Sequence, residues 1–196
     1  MTNEMWLLTP YELLTIIIVR NIRLDLNITA KELSEFLKKS TKYIGNIESA
    51  KSNSKYTEEV LFQIAIYFTN KAKEIERENG EQNIPVNFKT EYSILDLQPS
   101  EILDRAKVIK EIPPIPAGTG STATLSAVIE TTDFFEIART LPEIVDYCNN
   151  IQNQNWKGSD FTSALSRATK GENKRLEVKL VKGINTYVAY KPKANS

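Results

Sequence analysis

Histidine does not occur among the 196 residues of this chain. Its absence removes the commonest general base and the commonest metal ligand, and with them every serine–histidine and cysteine–histidine nucleophile system. A single cysteine, Cys148, excludes an internal disulfide, gives no metal cluster and points to a reducing, cytoplasmic compartment. Neither a Walker loop nor a Gly-x-Gly-x-x-Gly is present, so nothing indicates nucleotide chemistry. The apolar run from Leu13 to Val19 is bounded by Glu12 and Arg20 and is far too short to span a bilayer. Met1 to Leu8 lacks the basic segment and small-residue cleavage site of a signal peptide. No catalytic residue, metal site or cofactor is assigned, and the expectation is a protein that is neither an enzyme nor membrane-associated. A carboxylate-dependent nuclease would need an Asp-x(n)-Glu-x-Lys arrangement; Glu177-Val178-Lys179 comes nearest, and that triplet is common by chance.

What is present is an ordinary globular balance, 41% hydrophobic and 26% charged, in a chain long enough for two small domains. The formal net charge is zero but unevenly spread. Between residues 38 and 55, Lys38, Lys39, Lys42, Lys51 and Lys55 stand against Glu48 alone. Residues 71–146 carry 14 acidic and 8 basic side chains, whereas residues 156–196 carry 9 basic and only Asp160, Glu172 and Glu177. Two basic segments therefore flank an acidic middle, and a local basic patch suffices for phosphate contacts whatever the total.

Capping signals and helical spacing divide the chain. Thr9-Pro10 starts a helix expected over 10–24, deeply packed through Leu13, Leu14, Ile16, Ile17, Ile18 and Val19. Thr29 and Glu32 form a capping-box pattern ahead of Leu33, Phe36 and Leu37. Ser40 is placed to cap a helix carrying Ile44 and Ile47, and Thr57 one carrying Val60, Leu61, Ile64, Ala65 and Phe68. Residues 84–96 alternate weakly, as a short strand or extended arm does, and Pro99-Ser100-Glu101 reads as the start of a helix over Ile102–Ile109. Pro113, Pro114, Pro116, Gly118 and Gly120 then mark a linker running through Thr124. Beyond it come helical patterns over Asp133–Leu141, Pro142–Gln152 and Ser159–Thr169. A β-hairpin follows, with Leu176, Val178 and Leu180 on one face and a turn at residues 182–185.

The stretch from Thr29 to Lys51 carries the functional expectation. Leu33, Leu37, Ile44 and Ile47 are spaced so that two helices share a small core. Thr41, Lys42, Tyr43, Gly45 and Asn46 remain on the outer side. Asn46 matches the donor–acceptor pair of adenine, Lys42 can reach guanine or phosphate, and Tyr43 can meet a thymine methyl or simply pack. Gly45 would allow close backbone approach. Glu48 reads as pinning a basic side chain within the domain rather than touching a ligand.

On Thr29, Glu32-Leu33, Leu37, Ser40, Ile44, Ile47-Glu48, Leu61 and Ile64-Ala65, residues 10–68 resemble the XRE-type, phage-repressor-like helix-turn-helix family. The chain departs from that family's pattern at Ala30, where glutamine is usual, and at Lys38, where the turn often holds glycine. Tyr56 stands near where a proline is common. The resemblance implies a DNA-reading helix over Ser40–Ser49. The expected contact set is Thr29, Lys39, Ser40, Thr41, Lys42, Tyr43, Gly45, Asn46, Lys51 and Lys55.

The order of elements after the linker weakly resembles a winged helix. A candidate second DNA contact comprises Ser163, Arg167, Lys170, Lys174 and Lys182, which equally suit a solvated face. Cys148, at helical spacing with Ile144 and Ile151, reads as a buried structural thiol, and Trp156 as core. The fold expected is mainly α: a helix-turn-helix bundle over 1–78, a connecting segment over 79–124 with one short helix, and a small α+β winged-helix-like domain over 125–196. The function expected is a sequence-specific transcriptional regulator, a repressor acting on double-stranded DNA as a homodimer, with the acidic middle and residues 102–109 aiding dimerisation. A protein partner for the C-terminal domain remains open. So does an antitoxin-like or adaptor chain whose domains mainly bind another protein.

Overall fold

The computed structural model describes residues 6–79, 89–101, 103–171 and 174–191. They form a mainly helical protein of seven α-helices with two small antiparallel sheets among the described residues. The chain divides into two compact units, Met1–Pro113 and Pro114–Ser196.

In the first unit a short strand β1 (Leu7–Leu8) leads into helix α1 (Pro10–Asp25). Thr9 accepts the Glu12 N–H through its hydroxyl, and the Glu12 carboxylate accepts the Thr9 N–H, so the capping box is reciprocal. Ile16, Val19 and Leu24 are fully buried, but Leu14 is exposed. α1 therefore has a wet side that its near-continuous apolar run conceals. Helix α2 (Ala30–Phe36) begins at Thr29, whose hydroxyl accepts the Glu32 N–H. The Glu32 carboxylate is drawn to the fourth helix instead, where it meets the Tyr67 hydroxyl at 2.8 Å and Lys71 at 3.4 Å.

Helix α3 (Tyr43–Ile47) and the long α4 (Glu58–Asn79) complete a core of Val19, Leu33, Leu37, Ile44, Leu61, Ile64 and Phe68. Burial of each large apolar side chain there contributes about 1.5–3 kcal/mol.

The segment after α4 departs from expectation. Residues 84–88 of the anticipated extended arm lie outside the described residues. Ile94–Leu97 form a single 3-10 turn closed by a Ser93–Asp96 capping box, with Leu97 buried in the same core. The helix anticipated over Ile102–Ile109 is absent among described residues 103–109, and Val108–Ile109 instead form strand β2, antiparallel to β1. An eight-residue helix is marginal on its own, and two β-branched residues beside the Leu7–Leu8 strand gain more from pairing with it.

The second unit holds α5 (Ser121–Thr131), a 3-10 turn at Phe134–Glu136, strand β3 (Arg139–Thr140), α6 (Leu141–Gln152), α7 (Ser159–Thr169), β4 (Leu176–Val181) and β5 (Ile184–Ala189). The strands run antiparallel in the order β3–β5–β4. α5 occupies sequence that reads partly as linker. The helix anticipated over Asp133–Leu141 is a 3-10 turn and a two-residue strand, because Thr140 caps α6 in a box with Glu143 and so ends any earlier helix. Ser159 is the first helical residue of α7 rather than its cap, which is Gly158. Val128, Ile144, Cys148, Phe161, Leu165, Ala168 and Leu176 make the core, with Trp156 edge-on to Phe161 at 5.8 Å. Burial pushes the Cys148 thiol up to about 12, as befits an inert structural cysteine.

Candidate nucleic-acid interface

α2 and α3 are joined by a turn built from backbone geometry and one buried hydroxyl. α2 ends with Lys38 in the left-handed region at φ 54°. The Lys38 N–H reaches the Glu35 carbonyl at 2.9 Å and the Lys39 N–H the Ser34 carbonyl at 3.0 Å, the bond pair of a Schellman cap. A glycine would adopt this conformation without the steric cost that Lys38 bears. The fully buried Ser34 donates its hydroxyl to the Ala30 carbonyl at 2.7 Å and accepts the Ile44 N–H at 3.1 Å. This contact ties α3 to α2, and its only trace in the sequence is a serine on an otherwise apolar face.

α3 is shorter than anticipated. It starts at Tyr43, not Ser40; Ser40 contributes its carbonyl to the Tyr43 N–H at 2.8 Å, and the cap position belongs to Lys42, whose ammonium has no acceptor to offer. Lys39, Ser40, Thr41, Lys42, Gly45 and Asn46 are all exposed, while Ile44 and Ile47 are fully buried. A Cβ built on Gly45 meets nothing within 4 Å, so no internal packing calls for glycine there.

The other anticipated contacts fare unevenly. Tyr43 is half-buried between two clusters, with Lys39 Nζ 6.0 Å from its ring centre, and burial raises its phenol above the usual range. It serves packing as much as any surface. The Thr29 hydroxyl is engaged in capping α2. Lys51 is exposed, and Lys55 is ion-paired with Glu12.

Four charged side chains, Glu48, Arg23, Arg20 and Lys110, hold this surface from behind. Glu48, following α3, takes a bidentate contact from Arg23, at 2.8 Å to Nε and 2.5 Å to Nη2, and Arg20 Nε lies 3.6 Å away. Arg23 also donates to the Ile28 carbonyl at 2.7 Å, and Arg20 to the Pro113 carbonyl at 2.5 Å. These arginines are thus committed to the interior. Lys110, just past β2, is buried and donates to the Ser52 and Ser54 carbonyls at 2.9 and 3.0 Å, fixing the loop that carries Lys51 and Lys55. Burial pulls its ammonium down to about 8. Sequence reasoning missed Lys110, because a lysine in an acidic segment carries no sign of where the chain returns.

In the second unit Arg167 and Ser163 are half-buried and bonded to each other at 2.6 Å, one helical turn apart on α7. Lys174 lies over the Tyr190 ring at 4.1 Å, and Lys170 is exposed just after α7. Lys182 stands at the hairpin tip with φ 51°, flanked by exposed Leu180, Val181 and Ile184. Of this set, only Lys170 and Lys182 offer an exposed charge. No cluster of carboxylate and cysteine side chains able to hold a metal occurs among the described residues, and no helix there is long and apolar enough to cross a membrane. No protein-family model matches the chain, and no curated protein or solved structure matches it.

Proposed function

We propose that the chain is a cytoplasmic, sequence-specific DNA-binding regulator of the XRE-type helix-turn-helix kind, a repressor that reads its operator with α3 while α2 braces it. The observation that carries this reading is the division of α3 and the turn before it: Ile44 and Ile47 fill the core, while Gly45 and Asn46 on α3 and Lys39, Thr41 and Lys42 ahead of it are exposed. Gly45 adds to it. A glycine inside a helix costs roughly 0.5–1 kcal/mol relative to alanine, and nothing within the protein needs the space it leaves. A DNA backbone or base edge would use that space. Lys39, Lys42 and Lys51 would contact phosphate and set register, Asn46 would read adenine, and Thr41 would contact either. Occupation of the operator by a dimer would exclude the transcription machinery.

The second unit is read as winged-helix-like. Its element order α5–β3–α6–α7–β4–β5 and sheet order β3–β5–β4 support this, with α7 as the central helix and the hairpin as the wing. The adaptor reading draws on exposed Phe62 and Ile66, one turn apart on α4, and on the aliphatic hairpin tip.

Fluorescence anisotropy tests the proposal, with DNA enriched from a random pool by the protein itself, scrambled DNA as control, and a salt series. The Lys42→Ala/Asn46→Ala variant should lose at least about tenfold in specific affinity and show a shallower salt dependence. Binding that is indifferent both to DNA sequence and to this variant would reduce the proposal to phosphate attraction. No binding at low salt would put the adaptor reading in its place.

A further inference from the structure

Strand β4 has one neighbour. In the order β3–β5–β4 its other side is a free edge among the described residues. Which backbone groups face that edge follows from the register. Residues Leu176 to Val181 stand opposite Ala189 to Ile184, and the Tyr190 N–H donates to the Arg175 carbonyl. Bonded and non-bonded pairs alternate along an antiparallel ladder. Glu177, Lys179 and Val181 therefore bond to β5, and Leu176, Val178 and Leu180 turn their N–H and C=O groups outward.

The charged side chains within β4 are self-complementary. Glu177 and Lys179 lie on one face, one residue either side of Val178. We infer that β4 pairs antiparallel with β4 of a second copy of this chain about a two-fold axis at Val178. That register sets Val178 opposite its own copy and Leu176 opposite Leu180. It places each Glu177 directly across from the other copy's Lys179. The residues left opposite as bonded pairs are the three whose backbone groups are free, so the ladder admits this register and the charges select it. Parallel pairing in register would set glutamate against glutamate and lysine against lysine.

A lysine on an edge strand commonly deters association. Here a glutamate two residues away turns that deterrent into a partner preference. Val178, Leu180 and Val181 are exposed at 44%, 73% and 46%, an apolar load that a second copy would cover. Pairing would join two three-stranded sheets into one of six strands.

This inference is independent of the DNA reading, and its test contains no DNA. Sedimentation velocity of the full chain across the micromolar range should show a concentration-dependent dimer. Glu177→Lys sets lysine opposite lysine at both symmetric positions and should raise the dimer dissociation constant about tenfold or more. The double swap Glu177→Lys/Lys179→Glu should restore the dimer. Val178→Pro removes an outward N–H while leaving the β5 bonds in place, and should give monomer with unchanged circular dichroism. A monomer throughout the range, a dimer indifferent to Glu177→Lys, or a double swap no better than the single one would overturn the inference.

Discussion

Glu48 decides where α3 sits. Its side chain is 5% exposed and answers two arginines from α1, of which Arg23 is 1% exposed and grips it through two nitrogens. Taking one partner from a buried, hydrogen-bonded pair leaves the other charge without its solvent and without its counterion, which typically costs 3–5 kcal/mol. Glu48→Ala should therefore destabilise the chain by about 3–5 kcal/mol in urea titration, whereas Glu48→Gln, which keeps an acceptor for Arg23, should cost less. Equal losses would mean that the charge, which both variants remove, dominates over packing and the retained acceptor, and a loss below about 1 kcal/mol would remove Glu48 from this role. That Glu48 faces inward is legible in the sequence, since it follows Ile44 and Ile47 and an unpaired carboxylate would not be tolerated there. Its partner is not legible, because Arg23 lies 25 residues away and two arginines in an apolar helix offer equal claims.

Elements with clear periodicity read correctly: α1, α6 and α7 lie within a residue or two of their expected bounds, and α2 and α4 begin directly after the expected caps Thr29 and Thr57. α5 defeats the same logic. Ala123, Thr124, Leu125, Ser126, Ala127 and Val128 are all buried, so no polar stripe marks a helical period, and Gly118 and Gly120 just before it suggest a linker. β3 and the 3-10 turns are shorter than any period that could announce them. The hairpin is recognisable, but its turn is tighter than the four residues 182–185 suggest: Lys182 and Gly183 alone make it, both left-handed at φ 51° and 78°. Two positive-φ residues in a two-residue loop define the type I′ geometry that favours Asn-Gly. Lys182→Asn should accordingly stabilise the second unit by about 0.5–1 kcal/mol, read as a rise in its melting temperature. A fall would show that the lysine contributes something at the tip that the turn geometry does not explain.

At the scale of the whole chain, the sequence suggests a neck between two domains and the structure shows a return. Residues 103–113 belong with the first unit, and the division falls at Pro113/Pro114, inside the 79–124 connector. The return is made by contacts between residues far apart in sequence. β2 pairs with β1, the Lys110 N–H meets the Trp6 carbonyl at 2.8 Å, and its ammonium holds the Ser52 and Ser54 carbonyls. Ile112 packs on the cluster of Leu8, Ile16 and Ile47, and Arg20 reaches the Pro113 carbonyl. None of these carries a local signature; two-residue strands and a single buried lysine have no periodicity. Their consequence is that the bundle over 1–78 is not the folding unit. A fragment of residues 1–113 should melt cooperatively, whereas one of residues 1–101, although it keeps every helix of the bundle, should lose on the order of 3 kcal/mol through the missing charged and backbone hydrogen bonds. For a domain of this size the loss amounts to a melting temperature lower by about 10 °C or more. Because Lys110 positions the loop after α3, the shorter fragment should also show faster amide exchange at residues 49–55 than the longer one. Equal melting temperatures and equal exchange in that loop would return residues 103–113 to the status of a connector.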